Sequence, residues 1–150
     1  MKERKPINFI RATIPAKSTN EAFSRSLICS FASQLDPTVE ELCDIKTAVS
    51  EAVTNCIVHA YAKEECAAKK LIYIYAFITF DGCLTVKIKD KGCGIDDIER
   101  AMTPLYSGGG EERSGMGFSI MQCFTDKVTV KSAVGKGTTV TLKKYIARDI

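Results

Sequence analysis

The residue types that can do chemistry fall at four places along the sequence. Glu51, Asn55 and His59 are spaced four apart, so on a helix they line one stripe. Their neighbours Val49, Ala52, Val53, Cys56, Ile57 and Val58 are apolar. A carboxylate and an amide in such surroundings are costly unless something satisfies them. Asp90 closes a run in which Leu84, Val86 and Ile88 alternate with Thr85, Lys87 and Lys89. On a strand that alternation turns Asp90 inward, onto the apolar face. Gly92 and Gly94 follow, where the lack of a Cβ lets a backbone or a ligand come close. A buried carboxylate beside bare backbone suits a ligand with an N–H donor, such as a purine amine. The same phase argument puts the Thr138 hydroxyl on the face of Val140 and Leu142, aimed at the same place. In Ser114-Gly115-Met116-Gly117-Phe118, two glycines enter a helix. A helix N-terminus with free N–H groups is a phosphate cradle. Arg113 stands where a terminal phosphate would meet it. Taken singly, each has a plain structural reading: a solvated stripe, a capping Asp, a strand Thr, a tight turn.

These groups need elements to hold them. A first strand is expected over Ile7 to Ile14, ended by Pro15. Ser18 or Thr19 caps a helix running to about Gln34, with Phe23, Leu27, Phe31 and Leu35 as its apolar face. Asp36-Pro37 stops it and opens a second helix, with Pro at an early position, from about Thr38 to His59. Leu71 to Phe80 reads as a strand buried on both faces, Asp81-Gly82 as a hairpin turn, and Cys83 to Asp90 as the partner strand. Lys91 to Gly117 is polar, glycine-rich and aperiodic, and its stretch from Arg100 to Arg113 reads as a loop able to close over a ligand. A short helix over Phe118 to Thr125 and a hairpin around Gly135-Lys136-Gly137 complete an α/β (α+β) two-layer sandwich. It pairs a mostly antiparallel sheet with helices on one face.

The 150 residues fit a single domain, 1–150, and 45% hydrophobic with 26% charged residues is an ordinary globular mix. The net charge of +3 comes from scattered Lys and Arg, with no basic run interleaved with aromatics, so no direct nucleic-acid partner is expected. No apolar stretch fits a signal peptide or a membrane span, and the expected location is the cytoplasm. Seven cysteines, with no paired Cys-x-x-Cys, read as reduced core thiols rather than as disulfides or a zinc site.

It is the order of the motifs that is specific. Glu51…Asn55, Asp90-x-Gly92-x-Gly94, Gly115-x-Gly117 and Gly135-x-Gly137-Thr138 together resemble the N box and the three glycine boxes of the GHKL ATPase superfamily, which has the Bergerat fold. Ser50-Glu-Ala-Val-Thr-Asn55, Glu112-Arg-Ser-Gly-Met-Gly-Phe118, Lys136-Gly-Thr-Thr-Val140 and Gln34-Leu-Asp-Pro-Thr38 further resemble the sporulation anti-sigma F factors, serine kinases of Firmicutes. The likeness runs from about Phe9 to Tyr145. The stress-response kinases that control sigma B are the nearest alternative family, and a sigma-sequestering module without kinase activity is another. Chaperone-type and topoisomerase-type ATPases carry extra domains for which this length leaves no room. A histidine kinase would need a phospho-accepting His on a dimerisation helix, whereas the one His of this chain, His59, lies in the N-box region.

The resemblance implies ATP with Mg²⁺ as cofactors. It places adenine at Asp90 and Thr138, beside Gly92 and Gly94, and a Mg²⁺ oxygen ligand at Asn55. The phosphates fall at Ser114, Gly115, Met116 and Gly117, and Arg113 approaches the γ-phosphate. Glu51 would orient or deprotonate the attacking serine. The implied partners are a sigma factor of the F type and an anti-anti-sigma protein substrate, met by a homodimer. Arg25 on the first helix would contact partners.

Overall fold

The computed structural model describes residues 5–102 and 117–146. The first strand, β1, is Pro6–Pro15. Helix α1 spans Thr19–Ala32 and ends in a short 3₁₀ turn, Ser33–Leu35. Ser18 precedes α1 but makes no capping hydrogen bond, and Asn20 instead ties the helix start to β1 through Nδ2 to Pro15 O, 2.9 Å. The buried stripe of this segment is Ser24, Ile28, Phe31, Ala32 and Leu35, one position round from the expected face, so that Phe23 is exposed.

Asp36 turns the chain with φ 51°, in the left-handed region that Asp tolerates better than most residues. Pro37 then sits outside the second helix rather than in its first turn, and Thr38 is the N-cap of α2, Val39–Asn55. Thr38 and Glu41 form a reciprocal capping box: Thr38 Oγ1 accepts from Glu41 N–H at 3.1 Å, and Glu41 Oε1 accepts from Thr38 N–H at 2.9 Å. After Asn55 the helix loosens into a π turn over Cys56–Ala60. The wider turn carries His59 off the expected stripe and into solvent.

A short 3₁₀ turn at Ala67–Lys69 leads into β2, Leu71–Thr79, and β3, Cys83–Asp90. A four-residue helix, α3, at Ile98–Ala101 lies inside the segment expected to be aperiodic, capped by Asp97 Oδ1 on Arg100 N–H at 3.0 Å. Then come α4, Gly117–Phe124, and the closing hairpin of β4, Lys127–Ala133, and β5, Gly137–Tyr145. The strands form one sheet in the order β1-β2-β3-β5-β4, every neighbouring pair antiparallel.

Helices α1, α2 and α4 pack on one face of this sheet. Ile28, Ile45, Val49, Val53 and Met121 from the helices meet Ile72, Ile74, Leu84, Val86, Ile88 and Leu142 from the strands. Each such side chain removed from water contributes about 1.5–3 kcal/mol. Lys144 fastens the far end, donating to Asp44 on α2 at 3.2 Å and to Phe124 O at the end of α4 at 3.0 Å.

The other face carries no helix among the described residues, so β2 is not buried on both sides as its apolar run suggests. Ile72, Ile74, Ala76 and Ile78 face the helices, while Tyr73, Tyr75 and Phe77 are half-buried on the open side. There the aromatic rings and cationic stems cover one another. The Arg11 guanidinium lies 4.7 Å from the Tyr75 ring centre, and Lys91 Nζ lies 4.8 Å from that of Tyr73.

Candidate active site

Asp90 and Thr138 lie directly opposite each other where β3 pairs with β5, both on the helix-covered face, as their alternation requires. Asp90 is 5% exposed. Its Oδ1 accepts two backbone donors, Gly92 N–H at 2.9 Å and Thr138 N–H at 3.2 Å. Its Oδ2 accepts the Cys56 S–H at 3.6 Å. Burial pushes the Asp90 carboxyl above its usual pKa, and the donors from Gly92, Thr138 and Cys56 pull it part of the way back. Burial likewise holds the Cys56 thiol well above its usual value, with the Asp90 charge adding to the shift.

Thr138 therefore reaches Asp90 through its backbone. Its hydroxyl bonds to Ser132 Oγ at 2.8 Å. Ser132 also donates to Gly137 O at 3.0 Å and accepts from Ile95 N–H at 2.8 Å, tying the loop after β3 to the last hairpin. Ser132 was missed in the sequence, although the hairpin around Gly135 sets it opposite Thr138 in register.

The glycines have a more specific job than leaving room for a ligand. A Cβ on Gly92 would lie 2.1 Å from Ala60 O, one on Gly94 2.2 Å from Ala133 O, and one on Gly137 2.2 Å from Asp90 O. Each allows two stretches of main chain to touch, and Cys93 N–H donates to Ala60 O at 2.8 Å across the first of these contacts. Tyr61, also missed, closes the same junction: its buried hydroxyl accepts from Lys91 N–H at 2.8 Å and donates to Leu71 O at 2.5 Å.

Gly117 differs. A Cβ there would lie 3.4 Å from Glu51 Oε2 and 3.5 Å from Asn55 Oδ1, ordinary contact distances. The start of α4 thus abuts Glu51 and Asn55, one turn apart on α2. Cys56 follows Asn55 directly and touches Asp90, so the two groups form one continuous site. Arg113, Ser114, Gly115 and Met116 lie outside the described residues.

Arg25 stands apart on α1. Its Nε pairs with Glu21 Oε1 at 3.0 Å, and the same Glu21 oxygen accepts from the hydroxyl of Ser50, the residue before Glu51. The seven cysteines are all free, and only Cys56 and Cys83 are buried. Cys43, Cys66, Cys93 and Cys123 are exposed, contrary to the expectation of core thiols, because they sit on outward helix positions and in loops. No described helix is long and apolar enough to cross a membrane.

The donor set suits an adenine nucleotide with Mg²⁺. At one end, Asp90 offers a buried carboxylate with an acceptor to spare, which suits a purine amine. The other end offers a hard amide oxygen beside a carboxylate and a helix start, which fits a cation that keeps waters and takes phosphate oxygens.

The histidine kinase-like ATPase domain family matches residues 14–144. The chain is 50% identical over 143 residues to the anti-sigma F factor of Caldanaerobacter subterraneus, covering 95% of this chain and 96% of that protein. It is 50% identical over 133 residues to the anti-sigma F factor of Clostridium acetobutylicum, covering 88% and 90% of the two chains. Among solved structures, the RsbU and RsbW domains of a Mycobacterium tuberculosis protein superpose with TM-score 0.70 at 20% identity, covering 97% of this chain and 34% of that one. The SiaB–SiaC complex of Pseudomonas aeruginosa gives TM-score 0.65 at 11% identity, covering 89% and 88%.

Proposed function

The chain belongs to the anti-sigma F factors, within the family of histidine kinase-like ATPase domains, and from that premise we propose that it is an ATP-dependent protein serine kinase as well as an anti-sigma factor. It holds a sigma factor of the F type inactive and phosphorylates a serine on that factor's anti-anti-sigma antagonist. It acts as a homodimer in the cytoplasm of a sporulating cell.

The observation that carries the kinase half is the contact of Glu51 and Asn55 with the start of α4, joined through Cys56 to the Asp90 carboxylate. A module that only sequesters its partner needs no carboxylate at the phosphate end. The relatives bear the name of anti-sigma F factor, which favours the F-type over the B-type reading.

ATP with Mg²⁺ supplies the phosphoryl group and neutralises the charge that develops on it. The chain's own residues do the rest. Asp90 accepts an amine of the base, while the Thr138 and Gly92 N–H groups hold Asp90 in place. Asn55 offers its amide oxygen to the cation, and the N-terminus of α4 faces the phosphates. Glu51 orients the partner's serine hydroxyl and takes its proton. Arg113, with Ser114, Gly115 and Met116, belongs to the phosphate end on the strength of the motif alone. Arg25, half-buried on α1 beside Glu21, contacts the protein partners.

The test is transfer of γ-labelled phosphate from Mg-ATP to an anti-anti-sigma protein, with Glu51→Ala in parallel. Serine labelling that vanishes in the variant while ATP still binds supports the kinase and its base. No labelling from the parent, together with tight nucleotide-dependent binding of sigma factor, leaves a sequestering module and overturns the enzyme half.

A further inference from the structure

None of the roles above uses the Cys56 thiol. Cys56 is 3% exposed, and its S–H points at Asp90 Oδ2 across 3.6 Å. An ionised carboxylate offers about four lone-pair sites. On Asp90 the two Oδ1 sites are taken by Gly92 N–H and Thr138 N–H. Cys56 takes one on Oδ2, which leaves a single acceptor facing the site.

That count discriminates between ligands. One exocyclic amine donor, as on a 6-aminopurine, is satisfied by one acceptor. A base edge with two parallel donors, as on guanine, needs both carboxylate oxygens, and Oδ1 has nothing left to give. The two backbone donors anchor only Oδ1, about which the carboxylate can still pivot. Contact with Cys56 at Oδ2 removes that freedom and keeps water from the Oδ2 site it occupies.

Resting on the nucleotide-binding reading, we infer that Cys56 is a positioning residue of the purine subsite: its S–H fixes the plane of the Asp90 carboxylate and leaves one acceptor for a single amine. It therefore contributes to selection of a 6-aminopurine. The bond is a weak one, because sulfur is a poor donor, so the effect is graded.

The experiment is calorimetric binding of Mg-ATP, and of the purine riboside triphosphate that lacks the 6-amino group, to the full chain and to Cys56→Ala and Cys56→Ser. Cys56→Ala is expected to weaken ATP by about three- to tenfold, the range that one net hydrogen bond spans, and to leave the nucleotide without the 6-amino group unmoved. Cys56→Ser, which keeps a donor, restores the ratio. Equal losses for both nucleotides, or no change for either, overturn the inference and leave Cys56 a packing residue. Should Cys56→Ala not fold, Cys56→Val carries the same test, with volume but no donor. A parent that binds neither nucleotide overturns the nucleotide-binding reading itself, a distinct result.

Discussion

Replacing Gly92 by Ala tests whether this glycine serves the backbone or the ligand. The added Cβ lies 2.1 Å from Ala60 O, 2.5 Å from Ala60 C and 2.8 Å from Ala60 Cβ. The opposing oxygen is main chain at the end of a helix, so it cannot swing aside. The loop must retreat by about 0.9 Å to reach 3.0 Å, the least that real Cβ contacts tolerate. That movement breaks the 2.8 Å bond from Cys93 N–H to Ala60 O and draws Gly92 N–H away from Asp90 Oδ1. Overpacking of this kind costs about 1–3 kcal/mol, and the lost hydrogen bond costs about 1 kcal/mol more. A total of about 2–4 kcal/mol lowers the melting temperature by about 4–16 °C for a domain of this size. ATP affinity falls with it, because Asp90 loses a donor. The control is Gly135→Ala: Gly135 has φ +78° with nothing within 4 Å of an added Cβ, so only backbone strain of about 1–2 kcal/mol applies. Its melting point drops by a few degrees and its ATP binding is untouched. Thermal unfolding and calorimetry on both variants decide the matter. A Gly92→Ala protein that melts with the parent and binds ATP equally well would refute the argument.

Asp90→Asn removes a buried charge whose folded-state pKa is raised, so the parent's Asp90 contribution is full below the usual carboxylate pKa and is lost as pH rises through the raised value. The variant is therefore expected to match or exceed the parent's stability near pH 7 and to lack that part of its pH slope, while adenine binding disappears; melts from pH 3 to 8, with and without ATP, check both. Thr38→Ala removes the Oγ1 half of the capping box, leaving the backbone N–H of residue 38 to Glu41, and destabilises by about 1 kcal/mol in urea unfolding, with nucleotide affinity unchanged. Arg25→Ala weakens binding of both protein partners and leaves ATP affinity intact, and calorimetry that finds partner affinity unaltered removes Arg25 from the partner surface.

What was legible in the sequence was whatever depends on local rules. Alternation along β3 and β5 set Asp90 and Thr138 on one face, and register brought them opposite. Asp81-Gly82 marked the β2–β3 hairpin, and Asp36-Pro37 marked the junction of α1 and α2. What was not legible depends on elements meeting in space. The Cys56 contact with Asp90 joins residues 34 apart, and the Tyr61 hydroxyl joins a helix end to a loop 30 residues on. Neither leaves a periodic trace. The glycine spacing was visible, but the chain segment pressed against each glycine was not. The apolar run of β2 hid its open side, because Tyr and Phe read as core when counted by hydropathy alone. The π turn at Cys56–Ala60 changed the helical phase within one turn, which a constant period cannot foresee.

The pairing of Asp90 with Thr138 also sets a timetable. The backbone donor that completes the carboxylate comes from a residue 48 positions later in the chain. Strand β5 pairs with β3 on one side and β4 on the other, so the carboxylate is completed only when the last hairpin docks on the β3 edge. Such long-range closure is slow compared with forming the β2–β3 hairpin. During synthesis, α2, β2 and β3 leave the ribosome before the proposed purine subsite exists. Nucleotide then has nothing complete to grip until Thr138 is seated. It acts as a lock on the finished fold, adding about 2.7 kcal/mol at a hundredfold excess over its dissociation constant, and it does not template the earlier steps.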